Sequence, residues 1–287
     1  MKLTLIIILL VLSNMTYAEL LWSPKENLWH KVKQRQQAKP NIDHNSHMPS
    51  KEKSIYLMDG HHADVIFISP DLKKQKLSLD MESGKYILPK TGMDNYHALV
   101  AEKRGKNSHE SSLRYVSMRG KPSGVSPELV VNSAKLPLEI VPEPMIREHW
   151  KFYTSNSHTF KVQFNGQPLA DSWVVLSTSN GTKMDGKTDQ YGRITFTFPE
   201  DFAHIKAGRR ANKPAEFKLR TVHIHDDTTY KTNFNAPYYV NSAHWQSNSG
   251  GIAALSLGFI SGLLIMFKHN RKNNSTNKNQ QSSGIAL

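Results

Sequence analysis

Two histidines separated by one residue, with two aspartates directly after them, form the part of the sequence best suited to chemistry. The segment reads TVHIHDD over residues 221–227 and places His223 and His225 before Asp226. In a β-strand, residues i and i+2 point to the same face, so this spacing can aim two imidazoles at one point. Imidazole suits nickel, cobalt, copper and zinc, and carboxylates complete such sites. The segment therefore predicts a metal-binding strand.

The face that carries this pair depends on how the strand alternates. If Phe217 and Leu219 face the core, strict alternation places both histidines on the core face. If Val222 and Ile224 are the buried pair, a bulge near Arg220 turns both histidines outward. Buried imidazoles need partners, so the inward arrangement predicts a ligand or a hydrogen-bonded network. The outward arrangement predicts a solvated face.

Other histidines and carboxylates could bind the same metals. The further candidate ligands are His61, His62, Asp64, His97 and His149. The first three follow Asp-Gly at 59–60, which predicts a turn and hence a loop site. His97 has an apolar neighbour on its strand face, and a satisfied structural histidine is the competing role. His149 follows Arg147 and Glu148, where an ion-paired hinge competes with metal binding.

The composition limits the chemistry. The chain has 287 residues, with fourteen histidines and no cysteine, which excludes disulfides, thiolate metal sites and cysteine nucleophiles. The net charge is +13, but the basic residues are not interleaved with aromatic residues as in nucleic-acid-binding modules. We therefore expect attraction to anionic lipid and no nucleic-acid partner. No GxSxG, HExxH or phosphate-loop motif occurs. The sequence predicts a non-enzyme without an organic cofactor.

Apolar runs at both ends predict export and membrane attachment. Residues 1–18 combine a basic start, an apolar run and small terminal residues, which is typical of a cleaved signal peptide with Glu19 first in the mature chain. Residues 250–267 form an uncharged run long enough to span a bilayer. A basic tail at residues 268–287 follows this run, and its positive charge predicts that the tail lies in the cytoplasm. This pattern predicts a single-pass protein of the bacterial inner membrane, with its bulk in the periplasm.

Small residues recur every fourth position in the predicted membrane helix, at Ala254, Gly258 and Gly262. Small residues at this spacing line one face and let another helix approach closely. Glycine is also simply common in membrane helices, which is the competing explanation. A functional stripe predicts docking against an inner-membrane importer, another membrane protein or a second copy of the chain.

Between the two ends, short alternating segments bounded by turn residues predict an all-β protein. Residues 19–53 are an exception, and we interpret them as a basic helix capped by Ser23 and a flexible linker. From residue 54, strand-sized segments alternate with turns, and Asn180-Gly181 is a strong hairpin signal.

A proline-bounded segment at 136–144 suggests a domain boundary. It separates a β domain at 54–135 from a second at 136–245. The predicted fold class is mainly β, with two antiparallel Ig-like or prealbumin-like β-sandwiches.

Several of these motifs together resemble a bacterial family. The matching segments are DNYHALVAE (94–102), GKPSG (120–124), PLEIVPEP (137–144), REH (147–149), FNGQPL (164–169), TDQYGR (188–193) and VHIH (222–225). They resemble the family labelled nickel-uptake substrate-specific transmembrane region, a domain of unknown function, over residues 55–245 and both apolar ends. The second domain is also similar to prealbumin-like and carboxypeptidase-regulatory-like sandwiches.

The resemblance implies a periplasmic accessory component of a nickel or cobalt importer. One feature departs from the family, whose mature chains often start Ala-His-Glu, whereas this chain has Ala18-Glu19-Leu20 and lacks that histidine. We therefore predict a membrane-anchored periplasmic protein that binds nickel or cobalt, with copper and zinc also open, and assists uptake. The alternative is a metal-free β-sandwich that braces a membrane complex or binds a protein partner.

Overall fold

The computed structural model describes residues 19–25, 53–144, 151–208, 210–246 and 255–268. Its contacts divide the chain into two compact units. One comprises Met1–His204 and Asn212–Asn241, and the other comprises Ile205–Ala211 and Ser242–Leu287. The predicted signal peptide, most of the predicted basic helix and linker, and nearly all of the predicted tail lie outside the described residues.

Within its described residues, the first unit consists of strands and one short α-helix. The strands are β1 (Leu21–Ser23), β2 (Ser54–Met58), β3 (Asp64–Ile68), β4 (Lys74–Lys76), β5 (Leu79–Asp80), β6 (Lys85–Ile87), β7 (Asn95–Arg104), β8 (Ser108–Met118), β9 (Leu138–Pro142), β10 (Phe152–Tyr153), β11 (Ser157–Phe164), β12 (Gln167–Pro168), β13 (Trp173–Thr178), β14 (Lys183–Lys187), β15 (Arg193–Thr197), β16 (Ala215–His225) and β17 (Thr228–Tyr239). The helix, α1, is Pro127–Asn132.

A nine-stranded sheet lies at the centre of this unit. Its strand order is β14-β13-β16-β17-β8-β7-β3-β4, and β10 pairs with β17. One face packs on the sheet of β9, β11, β12 and β15 through a cluster that includes Phe160, Phe217 and Phe234. The other face packs on the sheet of β1, β2, β5 and β6 through a cluster that includes Trp22 and Phe67. Three layers result, with the large sheet in the middle.

Alternation of apolar and polar residues explains why these segments are strands. In β15, Ile194 and Phe196 are buried while Arg193, Thr195 and Thr197 are exposed. A period of two places one set of side chains in the core and the other in solvent. The predicted mainly-β fold with sandwich-like sheets is confirmed.

The central sheet joins the two segments that the sequence assigns to separate domains. β8 pairs in parallel with β17 from Thr229↔Ser108 to Phe234↔Leu113. One buried cluster also contains residues from both sides of residue 136. This differs from the predicted pair of separate antiparallel sandwiches, because pairing between residues 121 positions apart leaves no mark on local periodicity.

Two short elements also differ from expectation. Residues 127–132 form α1, where Ser126 caps the N-terminus by accepting a bond from the Glu128 amide at 3.3 Å. Six residues are too few to show a helical period, so the sequence pattern did not predict this helix. Residues 21–23 form β1, and the Ser23 hydroxyl bonds the backbone of Lys25, within a segment assigned to helix and linker. The apolar residues Leu20, Leu21 and Trp22 of this segment are all buried.

The second unit contains a 3₁₀ turn at Ser242–His244 and a helix at 255–268. Within the part of the chain that the structure describes, no helix reaches the length and apolarity needed to cross a membrane. The first residues of the predicted span, 250–254, lie outside that part.

Candidate functional site

The end of β16 decides which face carries the histidine pair. β16 pairs with β17 without a bulge, from Ala215↔Tyr238 to His225↔Thr228. Strict alternation therefore places His223 and His225 on the same face as the buried Phe217 and Leu219. The inward arrangement is correct. Since the core thins at this end of the sheet, His223 is half-buried and His225 is exposed.

An aromatic side chain supports both imidazoles. The ring of Phe164 lies 4.7 Å from His223 and 5.0 Å from His225, measured between centroids. The two imidazoles are nearly parallel, with centroids 6.1 Å apart. Tyr230 contacts the same phenylalanine at 4.9 Å. β11 thus supplies the base on which the imidazole pair rests.

The carboxylates after the pair form the turn between β16 and β17. Asp226 and Asp227 both have positive φ, 45° and 57°, as a type I′ hairpin turn requires. The Asp226 carboxylate lies 3.3 Å from Nε2 of His225, although its side chain is 90% exposed. The ligand role of Asp226 stays a prediction, and its turn geometry was not predicted from the sequence.

The surroundings of His223 disfavour protonation of its imidazole. Burial lowers the pKa of His223, and the neighbouring His225 lowers it further. Neutral imidazole is the form that binds metals. Among the described residues, however, no group of three or more histidine, aspartate and glutamate side chains is placed to hold a metal ion. An ion at this pair would therefore take further ligands from water or another molecule.

His109 is a buried histidine to which the sequence assigned no role, and it extends the cluster formed by Phe164, Tyr230 and the two imidazoles. His109 lies opposite Tyr230 across the β8–β17 pairing, with ring centroids 5.6 Å apart. Its Nε2 lies 3.0 Å from the Glu102 carboxylate, which also accepts a bond from Arg104. These two partners lower the pKa of Glu102. His109 was missed because its neighbours in sequence are polar, and only the strand register reveals its burial.

The predicted loop site at residues 58–64 is not assembled. The turn itself is confirmed, since β2 ends at Met58 and β3 begins at Asp64. His61 and His62 are both exposed. The Asp64 carboxylate accepts a bond from Lys76 at 2.7 Å. These side chains belong to no three-ligand group within the described part of the chain.

His97 has a structural environment. It is completely buried and stacks on Phe67 with ring centroids 5.0 Å apart. Its Nδ1 lies 3.1 Å from the Asn95 carbonyl oxygen, which can only accept, so Nδ1 carries the proton and Nε2 accepts from Thr91 at 2.7 Å. Both ring nitrogens are thus engaged, which leaves no lone pair for a metal. Burial lowers the pKa of His97.

The remaining predicted residues lie at or beyond the edges of the described chain. His149 and Ala254 lie outside the described residues. Gly258 and Gly262 are exposed on the helix at 255–268, and an added Cβ at either position would meet no atom within 4 Å. This helix surface has room for a close neighbour.

A groove runs between the strands β14 and β15. It has a volume of about 530 Å³ and is lined by residues 184–189 and 193–197. β14 pairs with β13 alone among the described strands, and β15 pairs with β11 alone. Unpaired strand edges can accept a strand from another chain.

Comparison with known proteins adds little about function. No family model and no curated protein matches this chain. Among solved structures, a Ca²⁺-stabilised adhesin that helps an Antarctic bacterium bind ice has a TM-score of 0.25 and 11% identity, with 66% of this chain and 43% of that chain covered. A two-domain fibronectin type III segment of chicken tenascin has a TM-score of 0.22 and 12% identity, with coverages of 66% and 95%. TM-scores this low carry no argument about activity or partners.

Proposed function

We propose that this protein binds a divalent transition metal weakly through His223 and His225 and assists its uptake across the inner membrane. The observation that supports this proposal is the imidazole pair at the open end of β16. Both rings lie on one face, one of them is exposed, and a carboxylate stands beside it. The resemblance to the nickel-uptake family favours nickel or cobalt as the metal.

Weak binding is the consequence of a two-imidazole site. Two protein ligands leave most coordination positions of a divalent ion to water, so the ion exchanges readily. A protein that hands a metal to an importer needs such exchange, whereas a storage site needs a closed ligand shell. The lowered pKa of His223 disfavours protonation of its ring and so leaves the ring available to a metal.

Membrane attachment is part of the same proposal. Nine large apolar side chains of the helix at 255–268 are exposed, including Leu255, Phe259 and Phe267. A helix that is apolar all round suits a bilayer better than water. We propose that residues 250–267 anchor the chain in the inner membrane, that the β unit lies in the periplasm, and that Gly258 and Gly262 face an importer subunit or a second copy.

Calorimetric titration of the detergent-solubilised full chain with nickel and cobalt tests the metal proposal. We expect binding in the micromolar range or weaker, lost in the variant His223→Ala/His225→Ala. His61→Ala/His62→Ala is the matched control, because it removes two exposed histidines from a turn and should leave the titration unchanged. Equal loss in both variants, or no binding by the native protein, would contradict the proposal.

A metal-free interaction module is the second candidate, and the groove between β14 and β15 favours it. A photo-crosslinking residue at Asp185, on the exposed side of β14, should capture one discrete partner in cells if a strand or loop docks there. The same residue at Lys74, on the exposed strand β4, serves as the control. Identical crosslinking patterns at the two positions would remove the support for this second function.

A further inference from the structure

One part of the central sheet has an unusually polar covered face. On β8, β16 and β17, the residues opposite the phenylalanine-rich core are Ser112, Arg114, Glu216, Lys218, Arg220, Asn233 and Asn235. The adjacent part of the same face, on β3 and β7, is apolar and carries Phe67 and Leu99. The segment Glu19–Ser23, here called the N-terminal strap, covers the polar part.

The strap is held as a bound peptide is held. One of its edges pairs with β2, from Leu21↔Met58 to Ser23↔Tyr56. Its backbone is also contacted by side chains, since Asn233 Nδ2 donates to the Leu20 carbonyl at 3.0 Å and Asn235 Nδ2 donates to the Trp22 carbonyl at 2.8 Å. Two asparagines two residues apart on β17 thus bind two carbonyls two residues apart on the strap.

Side chains of the strap fit the groove as well. Trp22 is completely buried, lies edge-on to Tyr86 at 5.9 Å and donates its indole N–H to the Ser112 carbonyl at 3.3 Å. The Glu19 carboxylate pairs with Lys218 and lies 3.7 Å from Arg220 Nε. The groove therefore complements an acidic residue at one end and a tryptophan three residues later.

The polar match beneath the strap is incomplete. Four buried atoms there have no hydrogen-bond partner among the described residues: Ser112 Oγ, Arg114 Nε, Asn233 Oδ1 and Asn235 Oδ1. An unpaired buried polar atom disfavours the closed state, because water pairs with it once the site opens. Apolar burial holds the strap down, and these four atoms oppose it.

We propose that this face of β8, β16 and β17 is a peptide-binding groove and that the N-terminal strap is its exchangeable occupant. The strap and the groove behave as ligand and receptor within one chain. A free peptide with the strap sequence binds the same groove whenever the strap is out of it. The proposal stands independently of metal binding.

Binding of the strap peptide in trans tests the proposal. The full-length variant Leu20→Asp/Trp22→Asp cannot bury its own strap, and a fluorescein-labelled peptide of residues 19–25 serves as the probe in an anisotropy titration. We expect this variant to bind the peptide and the native chain to bind it at least tenfold more weakly. Adding Asn235→Ala to the variant should weaken binding about tenfold, because one carbonyl bond is lost. A peptide carrying Trp22→Ala should not bind.

A folded variant with native circular dichroism that ignores the peptide would overturn the proposal, as would equal affinity with and without Asn235. Hydrogen exchange on the native full chain gives a second test if the variant does not fold. Backbone amides of β1 should exchange at least tenfold faster than those of β17, and excess strap peptide should increase the difference. Exchange of β1 at the rate of β17, unchanged by peptide, would show that the strap is a fixed strand.

Discussion

Two pairs of oppositely charged side chains are buried in the part of the chain that the structure describes. Arg114 and Glu216 form a two-point contact at 2.6 and 3.0 Å, with both side chains under a tenth exposed. Lys135 and Glu139 lie 3.1 Å apart and are more deeply buried, and Glu139 also accepts the Lys135 amide. A single unpaired charge in such a buried position would destabilise the fold, so each member depends on its partner.

Removing one member of the Arg114–Glu216 pair should cost more than removing both. We expect Arg114→Met to lower the free energy of unfolding by about 3–5 kcal/mol, because Glu216 is left buried and unpaired. Arg114→Met/Glu216→Met should recover most of that loss. Urea denaturation measures both. Lys76→Met, which breaks an exposed pair with Asp64, is the control and should change little. A double variant as unstable as the single one would contradict this prediction.

His97 should make the stability of the protein depend on pH. Burial lowers its pKa in the folded state, whereas the unfolded chain titrates near the ordinary value of 6.5. Below pH 6.5 the unfolded state therefore binds more protons than the folded state, and stability falls as the pH falls. We expect a loss on the order of 1 kcal/mol between pH 7 and pH 5 that His97→Gln reduces, measured by urea denaturation. His61→Gln, at an exposed site, should leave the pH dependence intact.

Metal binding at His223 and His225 should also follow pH. Protons compete with the metal for the ring nitrogens, so affinity falls as the pH falls. Because the pKa of His223 is lowered, protons compete for this ring at a lower pH than they do for an ordinary histidine. Nickel titrations at pH 7.5, 6.5 and 5.5 should show steadily weaker binding. Affinity that is constant across this range would indicate carboxylate ligands and would contradict the imidazole site.

At the scale of elements, turn chemistry was readable from the sequence. The Asn180-Gly181 hairpin, the turn at Asp189–Gly192 and the alternation in β15 all follow from local residue types. Gly192 has φ of 72°, and an added Cβ would lie 2.5 Å from the Val162 carbonyl oxygen and 2.9 Å from the Leu169 nitrogen. Only glycine fits both this conformation and this approach of backbones.

Gly192→Ala should therefore destabilise the protein more than Gly166→Ala. Gly166 has φ of 78° but no atom within 4 Å of an added Cβ, so its replacement meets conformational strain alone, about 1–2 kcal/mol. Gly192→Ala adds a clash with two backbone atoms that cannot move independently. Parallel urea denaturation of the two variants measures the difference. Equal losses would mean that the approach of β11 and the turn is not constraining.

Other features could not be predicted, for stated physical reasons. The position of His223 and His225 depended on whether β16 contains a bulge, and a bulge near Arg220 leaves no mark on residue types. His109 is buried only because β8 lies beside β17, a long-range pairing. The strap was assigned to the segment of basic helix and linker at 19–53, because three strand residues are too few to show alternation. Local residue patterns determine where strands form, whereas the pairing of distant strands determines which side chains meet at a site.

At the scale of the whole molecule, the shared central sheet should make the β unit unfold as one body. Trp22 lies in the cluster on one face, and Trp173 lies on β13 at the other end of the sheet order. Tryptophan fluorescence and far-UV circular dichroism of the native chain should therefore report the same urea midpoint. Two separated midpoints would instead support the two independent domains expected from sequence.

The order in which the chain is synthesised affects its tendency to aggregate. Leu20 and Trp22 are bound by Asn233 and Asn235, each 213 positions further along the chain. A chain that is synthesised or translocated from its N-terminus therefore exposes this apolar segment long before β17 is made and can pack against it. Contacts of such sequence separation form late, and exposed apolar segments aggregate while they wait. Leu20 and Trp22 therefore remain without their partner strand until nearly the whole β unit has been made.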